Sequence, residues 1–196
     1  IKKIFSWIYS TLIAPIYSFF KQNGLSISLG ILSFIFLFKI GEAFLGRMSI
    51  IFYKEIGFSK ADIGIFSKGL GWITTILFTF LGGIFTIRLG LFRAVLIAGL
   101  FMALTNILFS ILFWIGKNYF IFSIAVILDD IAAAFATVAF VAFISILVNR
   151  KYTATQYALL ASIGTIGRTT LASSSGNIVD YLEGDWGIFF IITALM

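Results

Sequence analysis

Long apolar runs, each about as long as a bilayer crossing, alternate along the chain with short stretches rich in glycine and charge. An α-helix rises about 1.5 Å per residue, so about 20 apolar residues cross some 30 Å of hydrocarbon. On that ruler the pattern predicts five full spans, at residues 26–53, 62–87, 92–115, 119–148 and 154–181, and the beginning of a sixth near Trp186. The connections carry turn residues: Gly57-Phe58-Ser59, Arg88-Leu89-Gly90, Gly116-Lys117-Asn118 and Glu183-Gly184-Asp185. Ser59 and Thr153 stand where N-caps of the second and fifth spans are expected, and Trp114 and Trp186 fall at span ends, where aromatic belts lie.

Residues 1–22 obey another rule. Ile1, Ile4, Phe5, Ile8 and Leu12 recur at helical spacing opposite Lys2, Lys3 and Ser6, which predicts an amphipathic helix lying in the membrane interface. A secretory signal is the rival reading, but the stretch lacks a small-residue cleavage site after it. The expected organisation is therefore an interfacial segment or linker over 1–22 and a transmembrane bundle over 26–196. The start at Ile1 and the stop at Met196 inside an apolar run are expected of a piece of something larger.

Composition agrees with an all-α, polytopic transmembrane helix bundle. The chain is 61% hydrophobic and 11% charged, with 24 phenylalanines and one proline, against roughly 25% charged residues in soluble domains. It contains neither cysteine nor histidine, which excludes disulfides, thiolate chemistry and His-containing zinc sites. No metal or other cofactor is expected. No Walker loop is present, and nothing else points to an enzyme. The net charge of +6 resides mostly between apolar runs, so it reads as topology rather than as nucleic-acid binding. Lys2, Lys3, Lys21, Arg88, Arg93, Arg150 and Lys151 share the side of the N-terminus. Lys54, Lys60 and Lys117 lie on the other side, with Glu55, Asp62, Asp180, Glu183 and Asp185. The positive-inside rule puts the N-terminus in the cytoplasm.

Seven charges interrupt the spans: Lys39, Glu42, Arg47, Lys68, Asp129, Asp130 and Arg168. Each isolated charge at mid-bilayer costs about 2.5–3.5 kcal/mol on insertion scales, and such residues face a bundle interior or a watery cavity. Helical periodicity collects them. Lys39, Glu42, Gly46 and Ser49 share one side of the first span. Lys68, Gly71, Thr75, Thr79, Gly82 and Thr86 form a stripe on the second. Asp130 aligns with Ser123, Ala134 and Thr137 on the fourth, and Tyr157, Ala161, Gly164, Arg168, Ala172 and Ser175 line up on the fifth. The plainer reading is that the charges pair with one another, as Lys39 and Glu42 can at i,i+3, and that the small-residue stripes only pack helices. An aspartyl-protease dyad does not fit, because Asp129 and Asp130 point about 100° apart on one helix and cannot share a proton. A channel would use similar residues.

Several segments carry a family resemblance. Gly83-Ile84-Phe85-Thr86-Ile87-Arg88-Leu89-Gly90 resembles the signature loop of the major facilitator superfamily, Gly83, Arg88 and Gly90 matching while Ile87 replaces its aspartate. Phe38-Lys39-Ile40-Gly41-Glu42-Ala43 resembles the "K-x-G-[DE]-A" segment of AmpG-type muropeptide permeases. Leu91-Phe92-Arg93-Ala94 is similar to their "LFRA", Ala139-Phe140-Val141-Ala142 to their "AFVAL", and Ala154-Thr155-Gln156-Tyr157-Ala158-Leu159-Leu160 to their "ATQ[FY]ALL". Gly167-Arg168 falls where they carry Gly-Arg. Asp129-Asp130 stands where Glu-Asn is expected. Ser173-Ser174-Ser175 replaces a "GPVAG"-like stretch, so their proline kink is expected to be absent.

The resemblance implies the C-terminal six-helix half of a symporter in the bacterial cytoplasmic membrane. Such a symporter imports anhydro-muropeptides, small amphiphilic glycopeptides, with protons. The N-terminal six-helix half, on the same or another chain, would be a required partner beside membrane lipid, and nucleic acid none. Lys39, Lys68, Arg168, Gln156 and Tyr157 are the expected solute-binding or pathway residues, and Glu42, Asp129 and Asp130 the candidate proton carriers. Gly83, Arg88, Gly90 and Arg93 belong to the cytoplasmic loop motif. The alternatives are a non-transporting remnant or subunit of a split transporter, and a facilitator-type transporter for another solute.

Overall fold

The structure, a computed structural model, describes residues 9–196. The interfacial helix expected from Ile1, Ile4, Phe5 and Ile8 lies outside the described residues. A π-helical turn, Tyr9–Ile13, leads into helix α1, Ala14–Asn23. Among the described residues every regular element is helical.

The first crossing is broken in two: α2 covers Leu25–Leu37 and α3 covers Ile40–Glu55. The second, α4, runs Lys60–Leu89 and contains a π-helical stretch at Gly64–Leu70. α5 is Leu91–Ile115 and α6 is Tyr119–Leu147. The predicted fifth span is α7, Thr153–Ala172, succeeded by a short α8, Ser175–Tyr181, and the sixth begins as α9, Trp186–Leu195. Among the described residues four segments qualify by length and hydropathy as membrane crossings, Leu25–Glu55 through Tyr119–Leu147, rather than the five predicted. α7 falls short because Gln156, Arg168 and several threonines dilute its apolar residues.

Local chemistry sets the helix ends. Ser59 caps α4 as predicted, in a reciprocal box: its hydroxyl accepts from the Asp62 amide while the Asp62 carboxylate accepts from the Ser59 amide, at 3.1 and 2.9 Å. Asn118 caps α6 by accepting from the amides of Phe120 and Ile121. Thr153 is not the cap of α7: it is the helix's first residue, and its hydroxyl lies within donating distance of Asn149 O and Arg150 O. Gly90 and Gly116 adopt φ of +78° and +84°, a left-handed turn that β-carbons resist.

α6 packs against α4 and α5, α9 lies against α5 and α3, and α7 covers α2 and α3. One core is aromatic, with Phe52, Tyr53, Phe109, Phe122, Trp186 and Phe190 buried together. Trp186 is 1% exposed and donates its indole N–H to Glu55 Oε2 at 2.6 Å. It is thus a core residue and not the interfacial belt residue expected. A second core gathers Phe19, Ile35, Val95, Phe143 and Leu160 around α1, α2, α5, α6 and α7. Outward-facing Trp72, Phe80, Ile87 and Phe92 are exposed, an arrangement suited to lipid. Hydroxyls on the helices donate back to the preceding turn, as Thr79 does to Thr75 O and Ser145 to Val141 O, which satisfies them without water.

The break in the first crossing centres on Phe38 and Lys39. The Phe38 amide still bonds Phe34 O, closing the ladder of α2, and the Ala43 amide bonds Lys39 O, opening that of α3. A second break comes after α7. No proline is present there, as expected, yet the helix is interrupted at Ser173-Ser174, so the single span expected over 154–181 is two helices. The Ser173 and Ser174 amides reach back only three residues. The hydroxyls of Ser173, Ser174 and Ser175 donate to the carbonyls of Thr170, Leu171 and Ala172. Serine hydroxyls competing for backbone acceptors bend the chain where proline would have done so.

Candidate functional site

Lys39 lies at the break itself, with φ −111° and ψ 20°, so its side chain leaves the chain where no regular helix constrains it. Its ammonium is 2.8 Å from Glu42 Oε2 and donates to Thr137 Oγ1 at 2.8 Å. Thr137 in turn donates its own proton to Ala133 O. Its single hydroxyl therefore accepts from Lys39 and donates to the backbone, using both capacities. The predicted i,i+3 pairing of Lys39 and Glu42 is present, and α6 supplies the third member of the group.

The acids of α6 occupy different surroundings. Asp129 Oδ1 is 3.2 Å from the Thr105 hydroxyl on α5 and lies within electrostatic reach of Glu42 and Lys39. Asp130 abuts Gly71 of α4 so closely that a β-carbon there would come within 2.7 Å of Oδ2. Adjacent in sequence, the two carboxylates face different helices, as their 100° separation requires.

On the other side of Lys39 the bundle opens into a cleft of about 160 Å³ whose lining includes Lys39, Thr137, Tyr157, Gly164 and Arg168. Three of the predicted pathway residues thus come together: Lys39 from the break, and Tyr157 and Arg168 from one face of α7. Among the described residues no acid lies within ion-pair distance of Arg168. A half-buried guanidinium and a neighbouring ammonium at a cleft form a place for anionic groups.

Other predicted residues lie elsewhere. Gln156 is 3% exposed and spends its amide on structure, accepting from the Asn149 amide at 2.6 Å and donating to Pro15 O at 2.8 Å. It ties α1 to the α6–α7 turn, away from the cleft. Lys68 belongs to the π-helical stretch of α4, and its side chain lies outside what the structure describes. Gly83, Arg88, Gly90 and Arg93 cluster around the α4–α5 turn, where both arginines are exposed. Within the stripe on α4, Gly71 and Gly82 are packing positions, Gly82 meeting Phe135 and Val138, whereas Thr75 and Thr79 are exposed. Arg47 is also exposed. Sequence reasoning missed Thr105 and Asn106, both on α5, which carries no charge within its apolar stretch. The available signal was a Thr-Asn pair inside a long apolar run, since polar groups at such depth are held by partners.

No protein-family model matches the chain. Comparison with curated proteins finds relatives along nearly its whole length. It is 36% identical over 193 residues to a Rickettsia conorii protein named as transporter AmpG 4, covering 98% of this chain and 45% of that protein. It is 32% identical over 182 residues to the anhydromuropeptide permease of Escherichia coli K12, covering 92% of this chain and 36% of the permease. A Rickettsia prowazekii protein named as transporter AmpG 3 is 32% identical over 165 residues, 84% of this chain and 39% of that protein. The chain therefore spans less than half the length of these relatives. With its apolar crossings and its charged interior, it is a multi-pass membrane protein belonging to the AmpG-type permeases.

Proposed function

We propose that this chain is the C-terminal six-helix half of a permease that imports cell-wall-derived anhydro-muropeptides across the bacterial cytoplasmic membrane. Protons drive the import, and the two halves rock around a central site in alternating access. The observation that carries the reading is the cleft that Lys39, Arg168 and Tyr157 line together. Its two cations suit the carboxylates of a peptide: the guanidinium offers a planar fork and the ammonium a point charge. Glu42, Asp129 and Asp130 are the acids available to carry the coupled proton. Lys68 would extend the pathway from α4. The basic turns, with Arg88, Arg93, Arg150 and Lys151, face the cytoplasm in this reading, as does the N-terminus. The other half of the site would come from six further helices, on the same polypeptide or on a partner.

The test is uptake of labelled anhydro-muropeptide into vesicles containing this chain, with and without the complementary half, under an imposed pH gradient. Gradient-dependent uptake only when both halves are present is expected. Equal uptake with and without the gradient would remove proton coupling, and a different transported solute would reassign the substrate. Absence of any transport by the complete assembly would favour a remnant or accessory subunit.

A further inference from the structure

Three acids stand near the break in the first crossing, and their surroundings divide them. Glu42 has the Lys39 ammonium at 2.8 Å. Asp130 faces α4, with its Oδ2 against Gly71. Asp129 meets the hydroxyl of Thr105 on α5, and among the described residues no cation lies within ion-pair distance of it. The contact with Thr105 is informative because a hydroxyl has a single proton to give. Thr105 is 1% exposed. Its Oγ1 lies 2.9 Å from Met102 O on its own helix and 3.2 Å from Asp129 Oδ1. An ionised carboxylate is the stronger acceptor and would draw the hydroxyl in to roughly 2.5–2.7 Å. The carboxyl oxygen is instead the more distant of the two. A neutral Asp129 accounts for both distances: its own O–H donates to Thr105 Oγ1, and Thr105 donates its proton to Met102 O.

The charges around the pair point the same way. Lys39 is one cation within electrostatic reach of two acids, Glu42 and Asp129. With both acids ionised the group has an excess negative charge at the depth of the crossings, where unpaired charge is costly. One proton makes it neutral, and Glu42 already has the ammonium. The other ionisable groups facing Asp129 are Asp130 on its own helix and Tyr53 on α3, and neither brings positive charge. α5 brings Thr105 and Asn106, both uncharged. Arg168 of α7 lines the cationic cleft on the far side of Lys39, and the Lys68 side chain of α4 lies outside what the structure describes.

We propose that Asp129 is the acid that carries the proton, held in place by Thr105 as its positioning residue, and that Lys39 transmits the presence of that proton to the cationic cleft. Glu42 is then the fixed counter-ion of Lys39 and not a carrier. With Asp129 neutral, the ammonium has one anion beside it and remains available to an anionic group of the solute. When the Asp129 carboxyl gives its proton to water, the products are a hydronium ion and a carboxylate. Two anions then compete for one ammonium, which is drawn toward α6 and away from the cleft. Lys39 can make that movement because it leaves the chain at the break, where no regular helix constrains it. Proton and solute are thereby held together and released together. The link to solute rests on the permease reading above, but the proton on Asp129 does not, and the two are tested apart.

Infrared spectroscopy of the complete protein in lipid at neutral pH reads the proton directly, because a neutral carboxyl has a carbonyl band that ionised carboxylates lack. The wild-type spectrum should contain such a band, and Asp129→Asn should remove it. Thr105→Val takes away the acceptor and should raise the frequency of the band, and Thr105→Ser should bring it back. A band that survives Asp129→Asn, or that stays in place in Thr105→Val, overturns the assignment whatever the solute proves to be. If Asp129→Asn does not reach the membrane, the Thr105→Val shift decides alone. For the link to solute, binding of labelled anhydro-muropeptide is measured against pH. Wild-type affinity should fall at least tenfold from mildly acidic to mildly alkaline buffer. In Asp129→Asn, which fixes the neutral form, affinity should vary less than about twofold over the same range. A wild-type pH profile in Asp129→Asn overturns the transmission through Lys39. Wild-type protein that binds none of this probe sinks the solute assignment, while the infrared bands still decide the proton.

Discussion

Gly167 of α7 lies directly against the carbonyl oxygen and ring of Phe36 on α2. No β-carbon fits between them, so the two helices approach at van der Waals distance just before the break in the first crossing. Gly164, one turn earlier, meets Ile35 O in the same way. Gly167→Leu would push α7 away from α2 and open the cleft that Arg168 lines. Overpacking of this kind costs about 1–3 kcal/mol. The expected outcome is a lower midpoint of thermal unfolding in detergent, with uptake falling with it. An unchanged midpoint would contradict the contact.

The Lys39–Glu42 pair should behave as a unit. Removing one member leaves the other charge buried with a weakened set of partners, whereas removing both leaves two neutral side chains. Lys39→Met and Glu42→Gln should each lower the amount of folded protein more than the double variant does. Fluorescence-detected size-exclusion chromatography measures this directly. Additive losses in the double variant would show that the pair is uncoupled.

Arg168 and Tyr157 share the cationic cleft, and their replacements should separate geometry from charge. Arg168→Lys keeps the positive charge but loses the planar fork. Uptake is expected to fall about tenfold in Arg168→Lys and further in Arg168→Gln, mainly through a raised KM. Tyr157→Phe, which removes one hydroxyl, should lose less. Wild-type kinetics in Arg168→Gln would remove it from the pathway.

Gln156, by contrast, should be a stability residue. Gln156→Leu deletes the bonds to Pro15 O and the Asn149 amide, each worth about 0.5–1.5 kcal/mol net. A drop in thermal midpoint with unchanged KM is expected. A raised KM with normal stability would return Gln156 to the pathway.

The sequence made the crossings and most of the site legible because helical periodicity is local information. The face containing Tyr157, Ala161, Gly164 and Arg168 was readable from spacing, and it lines the cleft. Gln156 shows where that logic fails. It neighbours Tyr157 in a motif-like segment, yet one residue along a helix is a turn of about 100°, and its amide goes to α1 instead. The broken crossings were not legible either. Lys39 was visible as an interruption, but whether a charge merely sits on a helix or marks its break depends on what α6 and α7 offer around it. The serines after α7 could be read only as the absence of proline, not as a set of hydroxyls competing for carbonyls. Asn106 was hidden because its run carries no charge beyond Arg93 at its start, and an amide inside such a run is conspicuous only once its surroundings are known.

The break at Phe38-Lys39 also sets a mechanical scale. α2 has 13 residues and α3 has 16, so at about 1.5 Å per residue they form rods about 20 and 24 Å long. Each is shorter than the hydrocarbon thickness of about 30 Å. Neither rod can be fixed by the bilayer alone, and the joint between them takes its position from α6, α7 and α9. The first crossing is in effect two levers on a shared fulcrum. With the hydrogen-bond ladder already interrupted there, a change in angle between them would carry the Lys39 ammonium sideways without unwinding another turn.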